Sequence, residues 1–233
     1  MNILIIGGMH GNELLGVELV KLLQASPIKG VDAMIANPEA VISGQRYIET
    51  DLNRSFGLQP LQTYETRRVE EMRVMTQSYD LVFDFHNTQT PDNDCAFVGA
   101  GCNPLLYDVM RLTNLNHCIE ATYDCINKYC LNAISIEISM DSPLNNAMVW
   151  YEKIAALSAS MVVPDNKITV YQFRRRVTWK EQEQYKLGGW RPFVPLVSTD
   201  KQRLNTSGDI VPIFIGSKLT EYYATLLEKT GEI

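Results

Sequence analysis

The strongest constraint on the fold is a repeated change of hydrophobic period along the chain. Ile3-Leu4-Ile5-Ile6 is a short apolar run that stops at Gly7-Gly8, which reads as a buried strand closed by a turn. The spacing then becomes helical: Leu15, Leu19, Leu22 and Leu23 fall at i, i+4, i+7 and i+8 within residues 13–24, one face of a helix. Residues 31–36 return to a strand pattern, 63–77 form a charged amphipathic helix, and 80–85 and 95–98 are apolar and extended. A helical segment over 104–116, a strand over 133–140 and a long helix over 145–162 follow. Strands alternating with helices predict an α/β fold, a mostly parallel or mixed central sheet with helices on both faces.

The pattern changes after Pro164-Asp165-Asn166. Short β-rich runs at 168–173, 193–197 and 210–215 are broken by Gly188-Gly189, Pro192 and Gly208. The expected organisation is therefore an α/β domain over 1–165 and a small β-rich appendage over 166–233 that ends in a helix at 218–229.

Composition excludes several functions. With 45% hydrophobic and 21% charged residues, the chain resembles ordinary soluble globular proteins. A formal charge of −6 argues against a nucleic-acid backbone as partner. The sole run of three basic residues, Arg174-Arg175-Arg176, reads as a solvated strand or loop. No run approaches the roughly 20 apolar residues of a membrane helix, and the N-terminal apolar run is too short for a signal peptide. Five cysteines, an odd number without a C-x-x-C pair, read as free thiols in a reducing compartment. A cytoplasmic protein acting on a small molecule, with neither membrane nor nucleic acid as partner, is expected.

Open α/β sheets bind ligands beyond the carboxyl ends of their strands, and there the chain concentrates its chemistry. Gly7-Gly8-Met9-His10-Gly11-Asn12-Glu13 follows the first strand without the spacing of a phosphate or dinucleotide loop. His86 follows the strand at 80–85, within Phe85-His86-Asn87-Thr88. An isolated histidine at a strand end is ordinarily a hydrogen-bonded polar residue. Two of the chain's three histidines at equivalent strand ends, one paired with Glu13, instead favour the two-histidine, one-glutamate set of catalytic zinc. The i, i+3 spacing lets His10 and Glu13 point one way if the turn is already helical. His117 has no such companion and reads as structural or exposed.

Glu137 sits inside the apolar strand Ile134-Ser135-Ile136-Glu137-Ile138. It is either a salt-bridged residue of an edge strand or, beside a metal-activated water, a proton acceptor. Residues 45–54 carry Arg46, Asn53 and Arg54 in one polar loop. That loop suits carboxylates or a developing oxyanion, unless its arginines simply pair with Glu49 and Asp51.

Taken in order, Gly8-x-His10-Gly11-Asn12-Glu13, Asn37-Pro38, Arg46-Tyr47-Ile48, Asp51-Leu52-Asn53-Arg54, Asp84-Phe85-His86-Asn87-Thr88, Glu137 and Tyr222-Tyr223 resemble the aspartoacylase/succinylglutamate desuccinylase family. The resemblance is closest over residues 2–88. It implies a zinc carboxypeptidase-like fold, one Zn2+ per subunit held by His10, Glu13 and His86, and Glu137 as general base. It makes Arg46 the group that polarises the scissile carbonyl, Asn53 and Arg54 the grip on a substrate carboxylate, and Tyr222 a contribution from the appendage. The implied reaction is hydrolysis of an N-acyl amino acid, N-acetyl-L-aspartate foremost, by a possible homodimer. Succinyl substrates, peptides and simple anion binding are the alternatives. Residues 127–132 lack the family's further arginine before the base. Lys128 is the expected substitute, a point charge without the bidentate fork.

Overall fold

The structure, a computed structural model, describes residues 1–58, 63–159, 163–216 and 220–233. Strand β1 (Ile3–Gly7) turns into helix α1 (Leu14–Ala25), and the chain returns as β2 (Val31–Ile35). A short α2 (Pro38–Ser43), a 3-10 turn over Leu52–Gly57 and α3 (Tyr64–Thr76) precede β3 (Leu81–Thr88). Then come β4 (Cys95–Gly99), α4 (Leu105–Thr113), β5 (His117–Ala121), α5 (Ile126–Tyr129), β6 (Ala133–Ser139) and α6 (Ala147–Ala159). The chain ends with β7 (Thr169–Thr178), α7 (Trp179–Tyr185), α8 (Ser198–Arg203), β8 (Ile210–Ile213) and β9 (Tyr222–Glu232).

The nine strands of the described residues join one mixed sheet in the order β2-β1-β3-β6-β4-β5-β7-β9-β8. The β2-β1-β3-β6 block is parallel throughout. Within it β1 is buried along its whole length, and so reads as a continuous apolar run, whereas β6 alternates isoleucines with Ser135, Glu137 and Ser139. Ile3 and Ile5 of β1 pack with residues of α1, α4 and α6 on one side. Leu4 and Ile6 pack with Val69 and Met72 of α3 on the other. Trp150 of α6, fully buried, meets Phe85 edge-on at 4.9 Å between centroids.

The C-terminal region departs from expectation. Residues 166–233 continue the sheet, since β7 pairs in parallel with β5 and carries β9 and then β8 at the far edge. The helix expected over 218–229 is strand β9 from Tyr222 onward, while Lys218 and Leu219 lie outside the described residues. β9 lies between β7 and β8 and buries Tyr223, Ala224, Leu226 and Leu227. A strand covered on both faces loses its period-2 signature, and leucine pairs then mimic helical spacing. The strand expected at 193–197 is absent: Leu196 N–H bonds the Ile210 carbonyl at 2.9 Å within an irregular segment. The helix expected over 104–116 stops at Asn114, whose left-handed backbone (φ 62°) caps α4. β5 follows at once. The long helix read over 145–162 is observed as α6, and Met161 and Val162 fall outside the described residues.

Candidate metal centre and active site

Adjacent strands β1, β3 and β6 deliver the chemistry at their carboxyl ends. Gly8 takes a left-handed φ of 67° immediately after β1, a conformation open to glycine at little cost. A Cβ on Gly11 would lie 2.1 Å from the backbone of Ala40, so that glycine allows the loop to pack against α2. The turn is not yet helical at the motif. Glu13 N–H closes it on the His10 carbonyl at 3.1 Å, and Glu13 stands in extended conformation as the residue before α1. His10 and Glu13 nevertheless converge as their spacing suggests.

Glu13 sits between the two imidazoles. Its Oε1 lies 2.8 Å from His10 Nδ1 and its Oε2 2.8 Å from His86 Nδ1. The far ring nitrogens are also fixed, His10 Nε2 by Asp51 at 3.2 Å and His86 Nε2 by Asp84 at 2.8 Å. Ser135 Oγ supports Asp84 from β6 at 3.0 Å. Both histidines and Glu13 are buried.

This set fits a divalent cation. One ligand atom from each of His10, Glu13 and His86 lies within 4.8 Å of the others, the sole such cluster among the described residues. Carboxylates on the far nitrogens set tautomer and ring orientation, as the outer partners of metal-bound histidines do. Electrostatics agree. Burial disfavours the Glu13 carboxylate, but the charges of His10 and His86 outweigh it and hold the group well below the usual carboxylate range. Burial likewise opposes protonation of His86, yet Asp84 and Glu13 drive its pKa well above the ordinary value, and His10 is raised in the same way. The cluster is built to hold positive charge.

Glu137 adjoins it, in register with His86 across the β3–β6 pair. Desolvation and the neighbouring Glu13 carboxylate push its pKa up to about 7, against the pull of His86, His10 and Arg46. Its carboxylate has no hydrogen-bond partner among the described residues and faces the same cavity as His10, Glu13 and His86. Arg46 closes the rim, donating to Glu13 Oε1 at 3.1 Å and to Asp51 Oδ2 at 3.3 Å. Asn53 lines the cavity, and its Oδ1 receives Ile126 N–H at 3.5 Å. Arg54 lies over the Tyr123 ring at 4.4 Å, and Tyr222 reaches the cavity from β9.

Lys128 is the exception. Its ammonium is bound to Asp124 at 2.8 Å on the exposed side of α5, and it does not line the cavity. Asp124 lies just before α5, four residues ahead of Lys128, so a local ion pair takes the charge that was expected to face the substrate. The cavity holds about 760 Å³. Part of its lining is apolar, with Phe97, Ile119, Ile213, Phe214 and Leu227.

Sequence reasoning missed Asp51, Asp84, Tyr123 and Arg176 as parts of this site. A signal existed for Asp84, because strand period puts it on the same face as His86 two residues later. Asp51 was visible as a salt-bridge partner of its own loop and as part of the Asp51-Leu52-Asn53-Arg54 motif, with no role of its own. Arg176 depended on knowing what its strand packs against.

Comparison with known proteins agrees with this geometry. Mouse aspartoacylase is 41% identical over an alignment covering 41% of this chain and 36% of that protein. The rat N-acyl-aromatic-L-amino acid amidohydrolase is 32% identical, covering 45% of this chain and 39% of that protein. The matched segments thus span well under half the length of these relatives. In fold, the succinylglutamate desuccinylase of Chromobacterium violaceum superposes with a TM-score of 0.76 at 15% identity, covering 99% of this chain and 85% of that one. Murine aminoacylase 3 does so at 0.70 and 20% identity, covering 100% and 96%. Residues 1–123 match the succinylglutamate desuccinylase/aspartoacylase catalytic domain, and the chain belongs to that family.

Proposed function

We propose that this chain hydrolyses the amide bond of an N-acyl amino acid with one zinc ion per chain, N-acetyl-L-aspartate being the leading substrate. One observation carries the reading: a two-histidine, one-carboxylate set and a glutamate without a hydrogen-bond partner among the described residues share one cavity. A simple anion site needs neither. When bound, the cation supplies Lewis-acid polarisation and an acidified water.

The protein's own groups do the rest. Glu137 takes the proton of the attacking water and returns it to the departing amine nitrogen. Arg46 places its guanidinium where negative charge grows on the carbonyl oxygen. Arg54 and Asn53 hold a carboxylate of the amino-acid half. The apolar wall at Phe97 and Phe214 favours a second reading, an N-acyl aromatic amino acid, which is also the substrate class in the name of the rat relative.

The test is amine release by zinc-loaded protein from N-acetyl-L-aspartate, N-acetyl-L-tyrosine and N-succinyl-L-glutamate. Release that stops with chelator and returns with zinc supports the reaction, and the preferred member names the substrate. Stoichiometric zinc with no release from any of them would overturn it.

A further inference from the structure

Three consecutive arginines on β7 have three different fates. Arg174 pairs with Glu228 of β9, and Arg175 pairs with Glu181 of α7. Arg176 has no carboxylate within ion-pair distance and no acceptor for its guanidinium among the described residues. Its guanidinium instead lies 4.6 Å from the centroid of the Tyr222 ring, and both residues line the catalytic cavity. The run therefore does not behave as one solvated face. Two members serve the fold and the third is directed at the cavity.

Arg54 repeats the arrangement from the 3-10 turn, stacked on Tyr123 at 4.4 Å and likewise without a carboxylate partner among the described residues. Arg46, by contrast, is engaged by Glu13 and Asp51. Stacking on a ring fixes the guanidinium plane yet leaves its edge N–H groups unused. Those donors match a carboxylate in bidentate fashion. The cavity thus holds two preoriented and uncommitted guanidinium edges, one from the N-terminal part of the chain and one from the C-terminal strands.

We infer that Arg176 is a substrate-binding residue, the second carboxylate grip of the site, and that the substrate carries two carboxylates besides the scissile amide. The inference rests on the amide-hydrolase reading and deepens it. It selects a dianionic N-acyl amino acid over the aromatic alternative, because a neutral side chain would leave one guanidinium edge unmatched.

The experiment removes substrate carboxylates one at a time. Wild type, Arg176→Gln and Arg176→Lys are assayed on N-acetyl-L-aspartate, on N-acetyl-L-asparagine, which lacks the side-chain carboxylate, and on N-acetyl-β-alanine, which lacks the α-carboxylate. N-succinyl-L-glutamate against N-acetyl-L-glutamate adds the acyl-side carboxylate. Wild type should discriminate within these pairs. Arg176→Gln should erase the discrimination in one pair, raising KM for the carboxylate-bearing member by about tenfold or more, with kcat and zinc content little changed. Arg176→Lys should fall between, and Arg174→Gln on the same strand should change none of the ratios. Unchanged discrimination in every pair, or an equal loss on all substrates, would overturn the assignment.

If wild type hydrolyses nothing, the reaction reading fails separately and binding still decides the residue. Succinate should then raise the melting temperature of wild type and not of Arg176→Gln, and equal shifts in both would overturn it.

Discussion

Around β1, β3 and β6 almost every polar group beside the cavity is tied to another. Glu13 spans two imidazoles, Asp51 and Asp84 hold their far nitrogens, and Arg46 bridges Glu13 and Asp51. Across the cavity, β7, β8 and β9 present Phe173, Ile213, Leu227 and one uncommitted guanidinium. The first region is a closed network, organised before any substrate arrives, as a reacting centre requires. The second is a largely apolar surface with a few polar groups, Arg176 and Tyr222 among them, the arrangement by which pockets choose a ligand. On the proposed reading, reaction type lies with β1, β3 and β6, and substrate choice is shared between Arg54 on the N-terminal side and the C-terminal strands.

Substitutions in the closed network should have the larger consequences. His86→Ala removes a ligand and leaves Glu13 and Asp84 without their shared partner. Stoichiometric zinc binding, read by elemental analysis, and amine release should both be lost. Asp84→Asn keeps the shape but replaces the acceptor that orients His86. Zinc affinity should fall by roughly 10–100-fold, the usual effect of losing an outer partner of a metal-bound histidine, as measured by competition with a chromophoric chelator. Unaltered affinity would show that the network is looser than its distances suggest.

Glu137 sharpens the comparison through stability. Its pKa rises in the folded protein from an ordinary 4.5 to about 7, so between those values the folded state binds the extra proton. Stability of the metal-free protein must then fall as pH rises through that window. Glu137→Gln removes this contribution, leaving that of His10 and His86, whose pKa values are also raised in the folded protein. The variant should exceed wild type by on the order of 1–3 kcal/mol near pH 8 and match it near pH 4 in urea titrations of metal-free samples. A constant difference at both pH values would mean that Glu137 is not held in a desolvated site. The smallest effect belongs to the wall. Tyr222→Leu removes the ring beneath Arg176 and should raise KM about twofold to fivefold, leaving zinc content and kcat unchanged in steady-state assays.

The same contrast explains what could be read from the chain. His10, Glu13, His86 and Glu137 were legible because each follows or sits within a short apolar run, and the strand–helix alternation brings such runs side by side. Asp84 was within reach, since period 2 alone places it beneath His86. Arg176 was not. Whether Arg174, Arg175 or Arg176 faces the cavity depends on β9, and β9 is a strand buried on both faces whose Tyr222-Tyr223 and Leu226-Leu227 pairs imitate a helix. Lys128 failed for the opposite reason. Its local partner Asp124, four residues earlier, captures it before any distant group can. Local pattern reveals residues whose role is set by their own element, and hides those whose role is set by the neighbouring strand.

The most direct test of the account measures zinc content and amine release on the same Glu137→Gln sample. The account predicts one zinc per chain, as in wild type, with turnover lower by roughly 10²–10⁴-fold. Retained turnover with zinc bound would contradict the assignment of Glu137 as the proton carrier, and loss of zinc would contradict the separation of the metal set from the base beside it.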